Sequence, residues 1–169
     1  MAVDEEHRAI TKELNYRIEA HPDWSGVTRG RKPFWYGQML TTLVIAVGKE
    51  PLVYLTAAYS TEGGDFTAAI VIFTPTTLIV MNAHGQANAD SSDYSTALSP
   101  RGELKRLTLA AETSVFSTED FSDWPGALST TLTYADGCKL SLPLGPSENS
   151  KHRAEIDPLI KSLRHDLAA

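Results

Sequence analysis

A chain of 169 residues, 42% apolar and with a net charge of −6, has the makeup of a globular protein with room for a sizeable core. The negative charge argues against a general binder of nucleic acid or anionic membrane, and no apolar run approaches the roughly 20 residues that a membrane-spanning helix needs. The lone Cys138 closes no internal disulfide and the start at Asp4, Glu5 and Glu6 is unlike a basic secretion leader, so the expected compartment is the cytoplasm.

Residues 4–20 predict a helix. Asp4 can cap it, Glu5 and Glu6 suit the positive end of its dipole, and Ile10, Leu14 and Ile18 form one narrow apolar stripe. A stripe that narrow has to lean on the body of the chain or on another subunit. Pro22 stops the helix, and residues 21–33 read as a linker rich in Gly, Pro and charge. In residues 34–47, Tyr36, Met39, Leu40, Leu43, Val44 and Val47 fit a helical face, with Gly48 as the stop. The β-branched run Thr41, Thr42, Val44 and Ile45 argues for a strand instead. The complete helical spacing favours the helix.

Leu52 to Asn82 predicts three antiparallel strands. The turns are Glu62-Gly63-Gly64-Asp65, where glycines accept positive φ, and Thr74-Pro75-Thr76. Residues 83–103 show no clear period and predict a long loop. Leu104–Phe116 predicts an irregular strand, with a register change before Val115. Ser117–Gly126 is an acidic loop carrying Phe121 and Trp124. A hairpin follows: Leu128, Leu132 and Tyr134 share a face, Asp136-Gly137 makes a two-residue turn, and Cys138, Leu140, Leu142 and Leu144 alternate inward. The last helix begins between Asn149 and Lys151, with Ile156, Leu159, Ile160, Leu163 and Leu167 on one side and Pro158 as a kink or restart. Residues 1–33 are thus an N-terminal helix and linker, and 34–169 one domain.

This order of elements resembles the bacterial pleckstrin-homology-like (PH-like) domains. The resemblance rests on Gly48–Tyr59, Phe73–Asn82, the irregular strand Leu104–Phe116, the Asp136-Gly137 hairpin and the closing helix, and covers residues 48–168. It implies two near-orthogonal antiparallel sheets capped at one end by the C-terminal helix, and a binding role, with self-association in some members. The chain departs from the family at loop 83–103, at the acidic loop 117–126, and at Pro75-Thr76-Thr77, where family members usually carry cations.

Phosphoinositide binding needs cations around the first hairpin, and Glu62-Gly63-Gly64-Asp65 supplies none. Trp24, Arg29, Arg31 and Lys32, with Phe34, Trp35 and Tyr36 just beyond, mix cations with aromatics. They make either a contact patch for an acidic partner or for nucleic acid, or a linker whose rings pin the next helix to the sheet, the last being favoured. Phe121 and Trp124 are either tucked under their loop or exposed as anchors, with Tyr94 and Leu98 of loop 83–103 as possible neighbours. His84, Asp90 and Asp93 read as a polar loop in preference to a metal site, and Cys138 as a small core residue in preference to a nucleophile. No G-x-S-x-G elbow supports a Ser-His-Asp triad.

The expected fold class is α+β, mainly antiparallel β: a PH-like two-sheet sandwich or barrel with a C-terminal capping helix and an N-terminal helical extension. The expected function is a non-enzymatic protein-interaction or self-assembly module without cofactor or metal, binding a protein partner or itself. Partner contacts are expected at Phe121, Trp124, Trp24, Arg29, Arg31, Lys32 and Tyr94. The alternative is a small-ligand-binding or enzymatic helix-grip or cystatin-like domain, which a deep apolar pocket would mark.

Overall fold

The computed structural model describes residues 5–111, 128–145 and 150–168, the last with backbone alone over 150–153. Helix α1 spans Glu5–Glu19, with Glu5 and Glu6 in its first turn and Arg17 in its last, as the helix dipole favours. Its stripe finds cover inside the chain: Leu14 and Ile18 are fully buried and Ile10 packs against the same core. Pro22 then opens a 3-10 turn, Pro22–Trp24, followed by the short helix α2, Ser25–Thr28. Helix α3, Phe34–Val47, settles the ambiguous segment as helix. It begins after Pro33 and ends where Gly48 takes φ +62° and donates its N–H to the Val44 carbonyl at 3.1 Å.

Three strands follow as expected, β1 (Tyr54–Glu62), β2 (Asp65–Phe73) and β3 (Thr77–Gln86). Glu62 pairs with Asp65 across a two-residue turn in which Gly63 and Gly64 have φ of +61° and +92°, a backbone that a side chain resists. At the next turn the Thr74 N–H donates to the Thr77 carbonyl at 3.0 Å, and the Glu50 carboxylate accepts from both the Thr76 hydroxyl and its N–H. The register sets Leu55 opposite Ile72 and Ala57 opposite Ile70, with Ile79 and Met81 continuing that row on β3. This face carries the main core, with Leu14, Ile18, Trp24, Trp35, Leu43 and others from the helices packed against it.

The expected loop 83–103 is largely strand. β3 runs on through Ala83–Gln86, and β4, Asp93–Pro100, completes a sheet of order β1-β2-β3-β4. Two physical reasons hid this. β4 is an edge strand with little buried on either side, so DYSTALSP carries no apolar alternation. Gly85 sits in β3 because a Cβ there would come 3.2 Å from the Phe66 ring and 3.3 Å from Ser92 Cα.

The chain divides into two units, Met1–Ser99 and Pro100–Ala169. In the second, a 3-10 turn at Arg101–Glu103 leads into β5 (Leu104–Ala111), which pairs with β6 (Leu128–Tyr134), itself paired with β7 (Lys139–Leu142). The irregularity in β5 lies between Leu104 and Arg106, while Val115 is outside the described residues. The hairpin turn is longer than expected. Tyr134 N–H donates to the Cys138 carbonyl at 2.9 Å, closing a three-residue loop whose last member, Gly137, has φ +84°. Cys138 therefore sits at the loop, exposed, and the inward row on this strand is Leu140 and Leu142. Helix α4, Ser150–Ala168, is continuous through Pro158. It buries Ile156, Leu159, Ile160 and Leu163 but leaves Leu167, expected on the same face, exposed.

Among the described residues the fold is α+β on two antiparallel sheets, of four and three strands, neither closed into a barrel. No described helix is long and apolar enough to cross a membrane.

Candidate functional site

Trp24 is 0% exposed, with its ring centroid 5.4 Å from Tyr59 and 6.1 Å from Tyr36. It pins the helices to the sheet and offers no surface to a partner. Stacking continues inward, Trp35 lying 4.6 Å from Phe66, which in turn is 5.6 Å from Tyr59. Arg29 and Arg31 are exposed. Lys32 is exposed but engaged: its Nζ donates to Asn15 Oδ1 at 2.7 Å and to Glu19 Oε1 at 2.8 Å, and lies 5.6 Å from the Tyr36 ring centre. This bridge ties the linker to α1. It holds the Glu19 carboxyl below the usual range, chiefly through the Lys32 hydrogen bond. Tyr36 donates its hydroxyl to Asn15 Oδ1 at 3.0 Å, and burial, helped by the nearby Glu19 charge, pushes its phenol up.

Tyr94 on β4 is part-exposed, its hydroxyl 3.4 Å from Thr42 Oγ1 of α3. Phe121 and Trp124 lie outside the described residues. His84 Nε2 stands 3.8 Å from Asp93 Oδ2 with both side chains exposed, and among the described residues no group of three His, Cys, Asp or Glu could hold a metal. The first hairpin turn is exposed and acidic.

A different surface stands out. Helix α3 carries no charged residue, and its outward side mixes Phe34 and Ile45 with Gln38 and Thr41. One side faces the sheet. On the other, Phe34 is 67% and Ile45 74% exposed. Between this side and α1 run two adjoining hollows of about 550 and 700 Å³, sharing Thr11, Lys12, Leu40 and Thr41. One end is walled by His7, Arg8, Val44 and Ile45, the other by Asn15, Lys32 and Phe34. The Thr11 hydroxyl donates to the His7 carbonyl at 2.7 Å and the Thr41 hydroxyl to the Gly37 carbonyl at 2.9 Å, so neither presents an open donor to the groove. Among the described residues, the lining contains cations and no acid.

Of the residues expected from sequence to bind a partner, this groove includes Lys32, with Phe34 and Tyr36 of the same cation–aromatic stretch beside it. Arg8, Lys12, Leu40 and Ile45 were not singled out. The signal available in the sequence was the lack of any charged residue in 34–47.

No protein-family model matches the chain, and no curated protein matches it. A solved structure that it resembles is the C-terminal domain of an unknown protein from Leishmania infantum, with 12% identity and a TM-score of 0.36, over 76% of this chain and 98% of that one. A likeness of that size carries no argument about fold or function.

Proposed function

We propose that this chain is a non-enzymatic protein-interaction module that engages a partner through the groove between α1 and α3. The observation that carries the reading is the exposure of Phe34 and Ile45 on a helix whose opposite side already fills the core. The space between helices and sheet is occupied by stacked rings from Trp24, Trp35, Tyr59 and Phe66, which favours a binding surface over an enclosed ligand chamber. Two antiparallel sheets ending in a C-terminal helix support the PH-like resemblance, whose members mostly bind. A cytoplasmic setting goes with this reading, because Cys138 is an exposed free thiol that an oxidising compartment would put at risk.

A photo-crosslinking residue at position 45, introduced in cells that make the protein natively, tests the reading. The expected result is a protein adduct at position 45 that is missing when the same residue is placed at Asp136 in the β6–β7 loop. Equal labelling at both positions, or none at 45, counts against it.

A further inference from the structure

We infer that the α1–α3 groove takes an acidic amphipathic helix of a partner protein, an inference that rests on the interaction-module reading above. Charge is the first argument. Arg8 and Lys12 stand along the α1 wall with no carboxylate in ion-pair reach among the described residues. Their neighbours are each satisfied: Arg17 by Glu13 at 2.8 Å, Lys32 by Glu19 at 2.8 Å and Lys49 by Glu6 at 2.9 Å. Among the described residues of a chain of net charge −6, Arg8 and Lys12 thus stand without an ion pair beside the most exposed of the large apolar residues. An occupant with carboxylates flanking an apolar stripe complements both.

Shape and backbone chemistry are the second argument. The α1 wall runs from His7 to Asn15 and the α3 wall from Phe34 to Ile45, roughly 12 and 16 Å at about 1.5 Å per residue. That length suits about three turns of helix. Both walls are helices, whose backbone groups are used internally. An extended peptide would find no strand edge there to pair with and would leave its own amides unsatisfied, whereas a helix brings its hydrogen bonds with it. A second copy meeting groove to groove would set Arg8 and Lys12 against their own kind, which disfavours self-pairing by this face. An anionic bilayer is a poor fit to a concave floor on a protein of net charge −6.

The test uses the full chain and two labelled synthetic peptides of about three helical turns. Both carry leucines at helical i, i+3, i+4 spacing; one has Glu at the remaining positions and the other Lys. Fluorescence anisotropy is expected to show binding of the Glu peptide, weakened by salt. Arg8→Glu with Lys12→Glu should lower affinity at least tenfold, as should Ile45→Glu, with melting curves unchanged. Equal binding of the Lys peptide overturns the proposal, and so does failure of both peptides to bind. Sedimentation with phosphatidylserine vesicles, or a doubled mass in light scattering, overturns it if either is lost in Ile45→Glu. A photo-adduct at position 45 whose attached partner segment is basic or neutral sinks the acidic helix and leaves the interaction module standing.

Discussion

His21 accepts the backbone N–H of Ala57 through its Nε2 at 3.2 Å, while its Nδ1 lies 2.9 Å from the Arg17 carbonyl oxygen. The two contacts fix a neutral tautomer, with the proton on Nδ1 donated to Arg17 and the lone pair of Nε2 open to Ala57. Two residues on, the Asp23 carboxylate accepts the Tyr59 N–H at 2.8 Å. β1 is the edge strand of its sheet, and these are N–H groups that β2 does not take. The His21-Pro22-Asp23 segment therefore plugs an edge that would otherwise be open to another strand.

The first prediction concerns that plug. His21→Ala leaves the Ala57 amide buried without an acceptor and should cost about 1–3 kcal/mol in chemical denaturation. The double variant His21→Ala, Asp23→Ala should also aggregate through the bared edge, seen as rising light scatter below the melting temperature. A double variant as soluble as the native chain argues against the protective role.

The plug shows what was legible in the sequence and what was not. Periodicity is a local signal, and it gave α1 and the inward row of α4, which have one wet face and one dry face, while the meander was marked by apolar runs between turns, since residues 54–57 and 70–73 are buried at successive positions. β4 has two wet faces and so left no pattern. Trp24 sits in a stretch with the composition of a linker, and nothing local says that its ring lies between Tyr36 and Tyr59. The groove was hidden for a related reason. A helix without a single charged residue announces that it needs cover, but only the fold shows that the sheet takes one side and leaves Ile45 outside.

The second prediction sets the two ends of that contrast against each other. Leu14→Ala removes a side chain with no exposure at the α1 core contact and should cost about 2–5 kcal/mol. Ile45→Ala should move stability by less than about 0.5 kcal/mol, because the site is exposed. Equal losses from the two in urea titrations would show that α3's outer side is structural.

The third concerns two buried tyrosines. Burial raises the phenols of Tyr36 and Tyr134 above the ordinary value of 10.0, with the neighbouring charges a smaller influence. Both groups are held neutral in the folded chain, so their contribution to stability is full below pH 10.0 and drains away as pH rises beyond it toward the raised folded values. Stability measured across that alkaline range should fall more gently in Tyr134→Phe and in Tyr36→Phe. At neutral pH the two should differ. Tyr36→Phe loses the bond to Asn15 and should cost about 0.5–1.5 kcal/mol. Tyr134 Oη is buried without a partner among the described residues, so Tyr134→Phe should be neutral or stabilising.

Acid acts on a different pair. The Glu19 carboxyl is lowered, chiefly by its hydrogen bond from Lys32, so the bridge contributes above the ordinary 4.5 and is lost as pH falls through the lower folded value. The pair is largely exposed, and Glu19→Gln should cost no more than about 0.2–1 kcal/mol at neutral pH. The gap between variant and native chain should close on acidification. A gap that persists at low pH would mean that the substitution acts through the Asn15 contact instead.

The last prediction belongs to the second unit. Arg101 is 2% exposed; its Nε donates to Asp166 Oδ2 at 2.9 Å, its Nη2 to the same oxygen at 2.7 Å and to Ser162 Oγ at 2.7 Å. Asp166 and Ser162 are both on α4, so one guanidinium ties the 3-10 turn before β5 to the closing helix. Asp166→Ala takes a carboxylate away from a buried cation, which should cost about 3–5 kcal/mol. Replacing both members, as Arg101→Met with Asp166→Leu, removes the charge along with its partner and should recover most of that loss. Deleting the chain from Lys151 onward removes Ile156, Leu159, Ile160 and Leu163 as well, apolar burial worth about 6–12 kcal/mol at about 1.5–3 each, and should abolish the cooperative melt of this unit. If the double variant were no more stable than Asp166→Ala, the pair would be serving geometry that apolar packing cannot replace. If the truncated chain kept a cooperative transition for β5–β7, α4 would be an ornament on a sheet that folds by itself.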